Sequence, residues 1–152
     1  MRASSLPCYR AAMTGSAPSP LSLELTWQGE MRFAGHAGPA EMMLDGAGQA
    51  GPSPVQALAF GLAACMAIDV LQILTKGRYV VEVLGVRLVG ERRAEEPRIF
   101  VKFDLHFVVT GAIPAAPVER AIALSREKYC TVWHSLRPDI HLSTSFEILS
   151  QG

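Results

Sequence analysis

The chain has 152 residues, 49% of them hydrophobic, with 14 basic and 14 acidic side chains and a formal net charge of +0. That length suits one domain able to bury roughly 70% of the surface of its unfolded chain. A balanced charge with no dense Lys/Arg run lacks the electrostatic footprint of nucleic-acid binding, which leaves small molecules and other proteins as partners.

Residues 1–20 are rich in Ala, Ser and Pro and contain no acid and no apolar core. They read as a disordered leader and not as a secretory signal, and residues 21–150 are expected to form the single domain. Cys8, Cys65 and Cys130 make no CxxC and no zinc-ligand spacing. Without a signal peptide they point to a reducing compartment, the cytoplasm, where a disulfide is transient and chemical.

Leu21–Thr26 alternates leucine with polar residues, Met31–Ala34 follows a Gln28-Gly29 turn, and Ala40–Leu44 supplies a third strand, a small meander. The Gly-rich segment GAGQAGPSP then leads onward, with no glycine spacing that would cradle a phosphate.

The stretch from Ser53 to Gly77 is predicted to be a central helix. Ser53 suits the N-cap, Pro54 the first helical position, Gln56 the reciprocal capping-box position and Gly77 the position just past the end. Between the caps only Gln56, Asp69, Gln72, Thr75 and Lys76 are polar, so the helix must be covered by sheet or by a second subunit. Its unbroken apolar run, Ala57 to Ile68, is shorter than the roughly 20 residues a bilayer needs, which argues against a membrane span. Leu58, Gly61, Leu62, Cys65, Asp69 and Gln72 share one face, so the thiol sits one turn from an acid. Gly61, costing about 1 kcal/mol relative to alanine, points to close approach by another backbone, to room for a ligand, or to core packing.

Tyr79–Glu91 and Arg98–Thr110 read as two long strands around the charged turn ERRAEEP. In the second, Ile99, Val101, Phe103, Leu105, Phe107 and Val109 face one way, and Arg98, Lys102, Asp104 and His106 the other. Pro117 opens a helix to about Tyr129, with Val118, Ala121, Ile122, Ser125 and Tyr129 on its inner face. A helical turn over Thr131–Leu136 and a strand over His141–Ile148 complete an α+β order, distinct from a parallel βαβ array.

Cys65 and Cys130 fall on or at the end of helices expected to cover the same sheet. Each is either a small buried hydrophobe or half of a redox pair, in which one thiolate becomes a sulfenic acid and the other condenses with it to a disulfide. No cofactor or metal is expected, because only His134, four residues after Cys130, with His141 and Asp69 as additions, offers further ligands. A Cys-His hydrolase is disfavoured, since no element presents a nucleophile on a strand-to-helix turn.

The segments GPSPVQALAFGLAACMAIDVLQIL, VRLVGERRAEEPRIFVKFDLHFVVTG and VERAIALSREKYCTV together resemble the OsmC/Ohr family, most of all its YhfA-like branch, from about Leu25 to Ile148. The resemblance implies an OsmC-like α+β fold of antiparallel sheets wrapped around a buried central helix, an intertwined homodimer, and active sites at the subunit interface. It implies reduction of organic hydroperoxides by Cys65 as the peroxidatic and Cys130 as the resolving cysteine, with a dithiol or protein thiol as reductant. It also implies an arginine from an N-terminal strand, here Arg32, held by a glutamate early in the central helix. That glutamate position falls at Val55 or Gln56, so the arginine loses its ionic anchor and Gln56 doubles as the capping residue. Cys65 lies far from its own helix N-terminus, whereas Cys130 sits at the start of the Thr131 turn, where thiolate is favoured and the two roles could be exchanged. The second reading is a non-catalytic dimer of the same fold, a hydrophobic-ligand binder or redox sensor.

Overall fold

A computed structural model describes residues 17–149. The leader expected over residues 1–20, with Cys8, lies outside them except for 17–20, which are exposed and belong to no helix or strand.

Three short strands, β1 (Glu24–Trp27), β2 (Arg32–Ala37) and β3 (Ala40–Asp45), form an antiparallel sheet in that order. Gly29 and Gly38, at φ of 93° and 58°, supply the left-handed backbone of its two hairpin turns. The chain leaves β3 through a loop tied to one side chain. The buried Asp45 carboxylate accepts the backbone N–H groups of Ala47 (2.9 Å), Gln49 (3.1 Å) and Ala50 (2.9 Å).

Helix α1 (Pro54–Lys76) follows, and its start is the expected capping box. Ser53 Oγ accepts the Gln56 N–H at 3.3 Å, and Gln56 Oε1 accepts the Ser53 N–H at 2.8 Å. Gly77 closes the helix with its N–H on the Ile73 carbonyl at 3.0 Å.

The second sheet contains β4 (Val83–Arg92), β5 (Phe100–Thr110) and β6 (His141–Leu149), with β5 in the middle. Phe103, Leu105, Phe107 and Val109 of β5 are buried, as the alternation predicts, while Val101 near the strand start is exposed. They form one core with Leu62, Met66, Val70 and Leu74 of α1 and with Val118, Ala121 and Ile122 of α2 (Ala115–Leu124). The sheet departs from the all-antiparallel expectation at one edge: β4 pairs antiparallel to β5, but β6 pairs parallel to it. The chain leaves the end of β5, crosses through α2, a single π turn (Ser125–Tyr129) and α3 (Thr131–His134), and re-enters alongside β5 in the same direction.

Two further expectations change. At 23 residues α1 is long and apolar enough to cross a bilayer by length and composition, although the shorter run from Ala57 to Ile68 argued otherwise. One of its faces is instead packed into the core. The helix is also not buried all round within one chain: Leu58, Phe60 (65% exposed), Ile68 and Leu71 stand open on its other faces. The first sheet leaves Leu25, Trp27 (65% exposed), Phe33 and Met42 uncovered as well, and meets the rest of the described residues chiefly where β3 runs into α1.

Candidate active site

Cys65 and Asp69 are one turn apart on α1 and so lie one above the other on the same side of the helix. Cys65 is half-buried, and the Asp69 carboxylate accepts a hydrogen bond from Ser125 Oγ at 2.8 Å. Ser125 is completely buried on the inner face of the second helical segment, so its hydroxyl needs a partner, and Asp69 provides one.

Cys130 reaches this place through the π turn. Its N–H donates to the Ser125 carbonyl, five residues back, at 2.8 Å. The extra residue in that turn rotates Tyr129 off the core face, where helical spacing had placed it, leaving it 48% exposed, and brings Cys130 inward. Cys130 then caps α3, its Sγ accepting the Trp133 N–H at 3.4 Å. The Sγ atoms of Cys65 and Cys130 and a carboxylate oxygen of Asp69 all lie within 4.8 Å of one another.

The electrostatics oppose an exchange of roles between the cysteines. Burial pushes the Cys130 thiol up to about 12; the Trp133 N–H opposes the rise, and the neighbouring Cys65 and the Asp69 charge add to it. A helix of four residues offers one N–H and little dipole, too little to offset complete burial. Cys130 therefore does sit at a helix start, as expected, but as a thiol. The solvent-facing partner is Cys65.

Arg32 and Gln56 are placed elsewhere. Arg32, on β2, pairs with Glu30 and stands opposite Asp45 in the sheet register, so its ionic partners belong to its own sheet. Its Nε is buried and has no hydrogen-bond partner among the described residues. Gln56 precedes Cys65 by nine positions, about 13 Å of helix, and its side chain is occupied as a cap. With Val55 it lines a cavity of ≈ 580 Å³ at the start of α1 that also contains Arg92 and Phe100 but neither cysteine. At Gly61 an added Cβ would meet nothing within 4 Å, so no other backbone among the described residues approaches there.

The donor set also differs from the one weighed in the sequence. Among the described residues, Cys65, Asp69 and Cys130 are those whose donor atoms could meet at one ion, whereas His134 and His141 are exposed and outside the group. His106 is tied to Ser145 and Glu147 on the outer face of the second sheet, and His36 to Glu41. Sequence reasoning noted the Cys65 to Asp69 spacing but missed Ser125. The available signal was a hydroxyl on an otherwise apolar helix face.

Residues 46–145 match the family described as OsmC-like protein. The chain belongs to this family. The matched span holds Cys65, Asp69 and Cys130 and leaves Arg32 outside. Protein YhfA of Escherichia coli K12 is 41% identical over 128 residues, covering 83% of this chain and 92% of that protein, which supports the YhfA-like branch. A hypothetical protein from Aquifex aeolicus VF5 shares the OsmC-like fold with a TM-score of 0.82 and 27% identity, over 89% of this chain and all 100% of that one. An organic hydroperoxide resistance protein OsmC from Legionella pneumophila superposes with a TM-score of 0.65 at 18% identity, over 87% and 99% of the two chains, a likeness of fold.

Proposed function

We propose that this OsmC-like protein reduces organic hydroperoxides with Cys65 and Cys130, as a homodimer in the cytoplasm. The observation that carries this reading is the meeting of a half-buried and a fully buried thiol within 4.8 Å, on elements far apart in the chain. Cys65 sulfur, as thiolate, attacks the outer oxygen of the peroxide. The O–O bond breaks, the alcohol leaves with a proton, and Cys65 becomes a sulfenic acid. Cys130 sulfur then attacks the Cys65 sulfur, losing its proton as the hydroxyl leaves as water, and the disulfide forms. An external dithiol or protein thiol returns both thiols. Burial supports the division of labour, since the half-buried thiol is the more accessible to substrate and the fully buried one is shielded from it.

Arg32 as peroxide-orienting residue remains part of the proposal through the partner copy. Its unpaired Nε and the uncovered apolar faces of α1 and of the first sheet suit a site completed by a second chain. Gln56, whose side chain is engaged as the helix cap, is assigned a capping role in this proposal.

A second reading, a ligand-binding or redox-sensing dimer without turnover, is favoured by a specific observation: Arg32 pairs with Glu30 of the preceding turn and not with an acid at the start of α1. Consumption of cumene hydroperoxide in the presence of excess dithiol separates the two. Continuous turnover lost in Cys65→Ser supports the reductase. One stoichiometric oxidation with no further consumption supports the sensor.

A further inference from the structure

We infer that the reduced protein has a binding site for a thiophilic divalent cation of the Zn²⁺ type, made by Cys65, Asp69 and Cys130. The inference does not rest on the peroxide chemistry. It rests on the donor geometry, which differs from the cysteine and histidine spacing visible in the sequence.

Two of the donors lie four residues apart on one long helix, the spacing with which a helix presents two ligands to one ion. The third comes from the N-cap of a helix packed against α1. The three atoms lie within 4.8 Å of one another. Ligands at about 2.3 Å for sulfur and about 2.0 to 2.2 Å for a carboxylate oxygen span roughly 3.5 to 4 Å around a tetrahedral ion, so a small side-chain adjustment closes the site.

The outer partners are those that orient metal ligands. Ser125 Oγ donates to Asp69 Oδ2 at 2.8 Å, which fixes the carboxylate and leaves it lone pairs for an ion. The Trp133 N–H donates to Cys130 Sγ at 3.4 Å, a bond that supports charge on sulfur. Two thiolates and a carboxylate select a borderline-soft ion over Mg²⁺ or Ca²⁺, which prefer oxygen alone. Three protein ligands leave a fourth position at a tetrahedral ion, for water or a small ligand. On binding, two S–H protons pass to solvent, two metal–sulfur bonds and one metal–oxygen bond form, and no electron is transferred. An occupied site withholds both thiols from oxidants.

The test uses the full-length, reduced, chelator-treated protein without peroxide, with Co²⁺ as spectroscopic probe and Zn²⁺ measured by competition with a chromophoric chelator. The expected result is one ion per chain, with a thiolate-to-Co²⁺ charge-transfer band that is lost in Cys65→Ser and in Cys130→Ser. Ser125→Ala, which frees the carboxylate from its anchor, should weaken Zn²⁺ about 10-fold, and Asp69→Ala more than that. His134→Ala and Cys8→Ser should bind as wild type does. Circular dichroism of each variant checks folding, and if Asp69→Ala does not fold, the contrast between Ser125→Ala and His134→Ala decides. No thiolate band in the wild type, equal affinity of wild type and Asp69→Ala, or a loss in His134→Ala without one in Ser125→Ala would overturn the assignment. Peroxide consumption is measured separately, so failure of the cation site leaves the reductase reading standing, and the reverse also holds.

Discussion

Ser125 holds more of the site than a hydroxyl on an apolar helix face implies, because it fixes Asp69 beside the two thiols while being fully buried itself. Ser125→Ala leaves a carboxylate oxygen without its donor, at a cost of about 1 to 3 kcal/mol. Denaturant unfolding should show that loss at unchanged m-value, and a variant as stable as wild type would show that Asp69 finds another donor. Asp45 gives a pH-dependent counterpart. Its carboxyl is held below the usual carboxylate range by the Ala50 and Ala47 N–H groups, with Gln49 and Arg32 adding to them. A lowered folded-state pKa stabilises fully above the unfolded value of about 3.9 and loses that contribution as pH falls through the folded value. Asp45→Asn should therefore lower Tm at pH 7, and the difference should shrink below about pH 4. A constant difference across that range would show that the loop does not depend on the charge. At this scale the cysteine pair and the acid one turn from Cys65 were legible from type and spacing. The inward turn of Cys130 was not, because a π turn leaves no mark in the periodicity until it has displaced Tyr129.

The elements read most clearly from the sequence are those whose signals are local. Ser53, Pro54 and Gln56 state the start of α1 in four residues, and both reciprocal hydrogen bonds form. Ser53→Ala should cost about 1 kcal/mol, measurable as a lower midpoint of denaturant unfolding, whereas an unchanged midpoint would mean that packing alone sets the helix start. Gln56→Glu keeps an acceptor for the Ser53 N–H and adds a charge at the positive end of the helix, worth about 0.3 to 1 kcal/mol. It should raise stability and leave the peroxide rate unchanged. A clear gain in rate would return position 56 to the arginine relay that the family resemblance implied. The alternation along β5 was equally plain, and its even partition into buried and solvent-facing residues follows it. The parallel pairing of β6 was not legible, since strand direction depends on where the crossover through α2 and α3 returns the chain, a property of no single segment.

For the whole molecule, the sequence asked for a cover over an apolar helix, and one chain supplies only part of it. Leu58, Phe60, Ile68 and Leu71 on α1, together with Trp27 and Phe33 on the first sheet, remain open, and exposed large apolar side chains in this number suit a covering partner. Light scattering is expected to give twice the chain mass at micromolar concentration, and Phe60→Asp to shift it toward one chain mass. A wild-type monomer would remove the second-copy route for Arg32 along with the dimer. The central claim is the pairing of Cys65 with Cys130, and the measurement that tests it most directly is peptide mapping by mass spectrometry under non-reducing conditions after one equivalent of organic hydroperoxide. The account predicts a Cys65 to Cys130 disulfide within the chain, a sulfenic acid trapped on Cys65 in Cys130→Ser, and no reaction in Cys65→Ser. Both thiols recovered reduced, or peroxide consumed by Cys65→Ser at the wild-type rate, would contradict it.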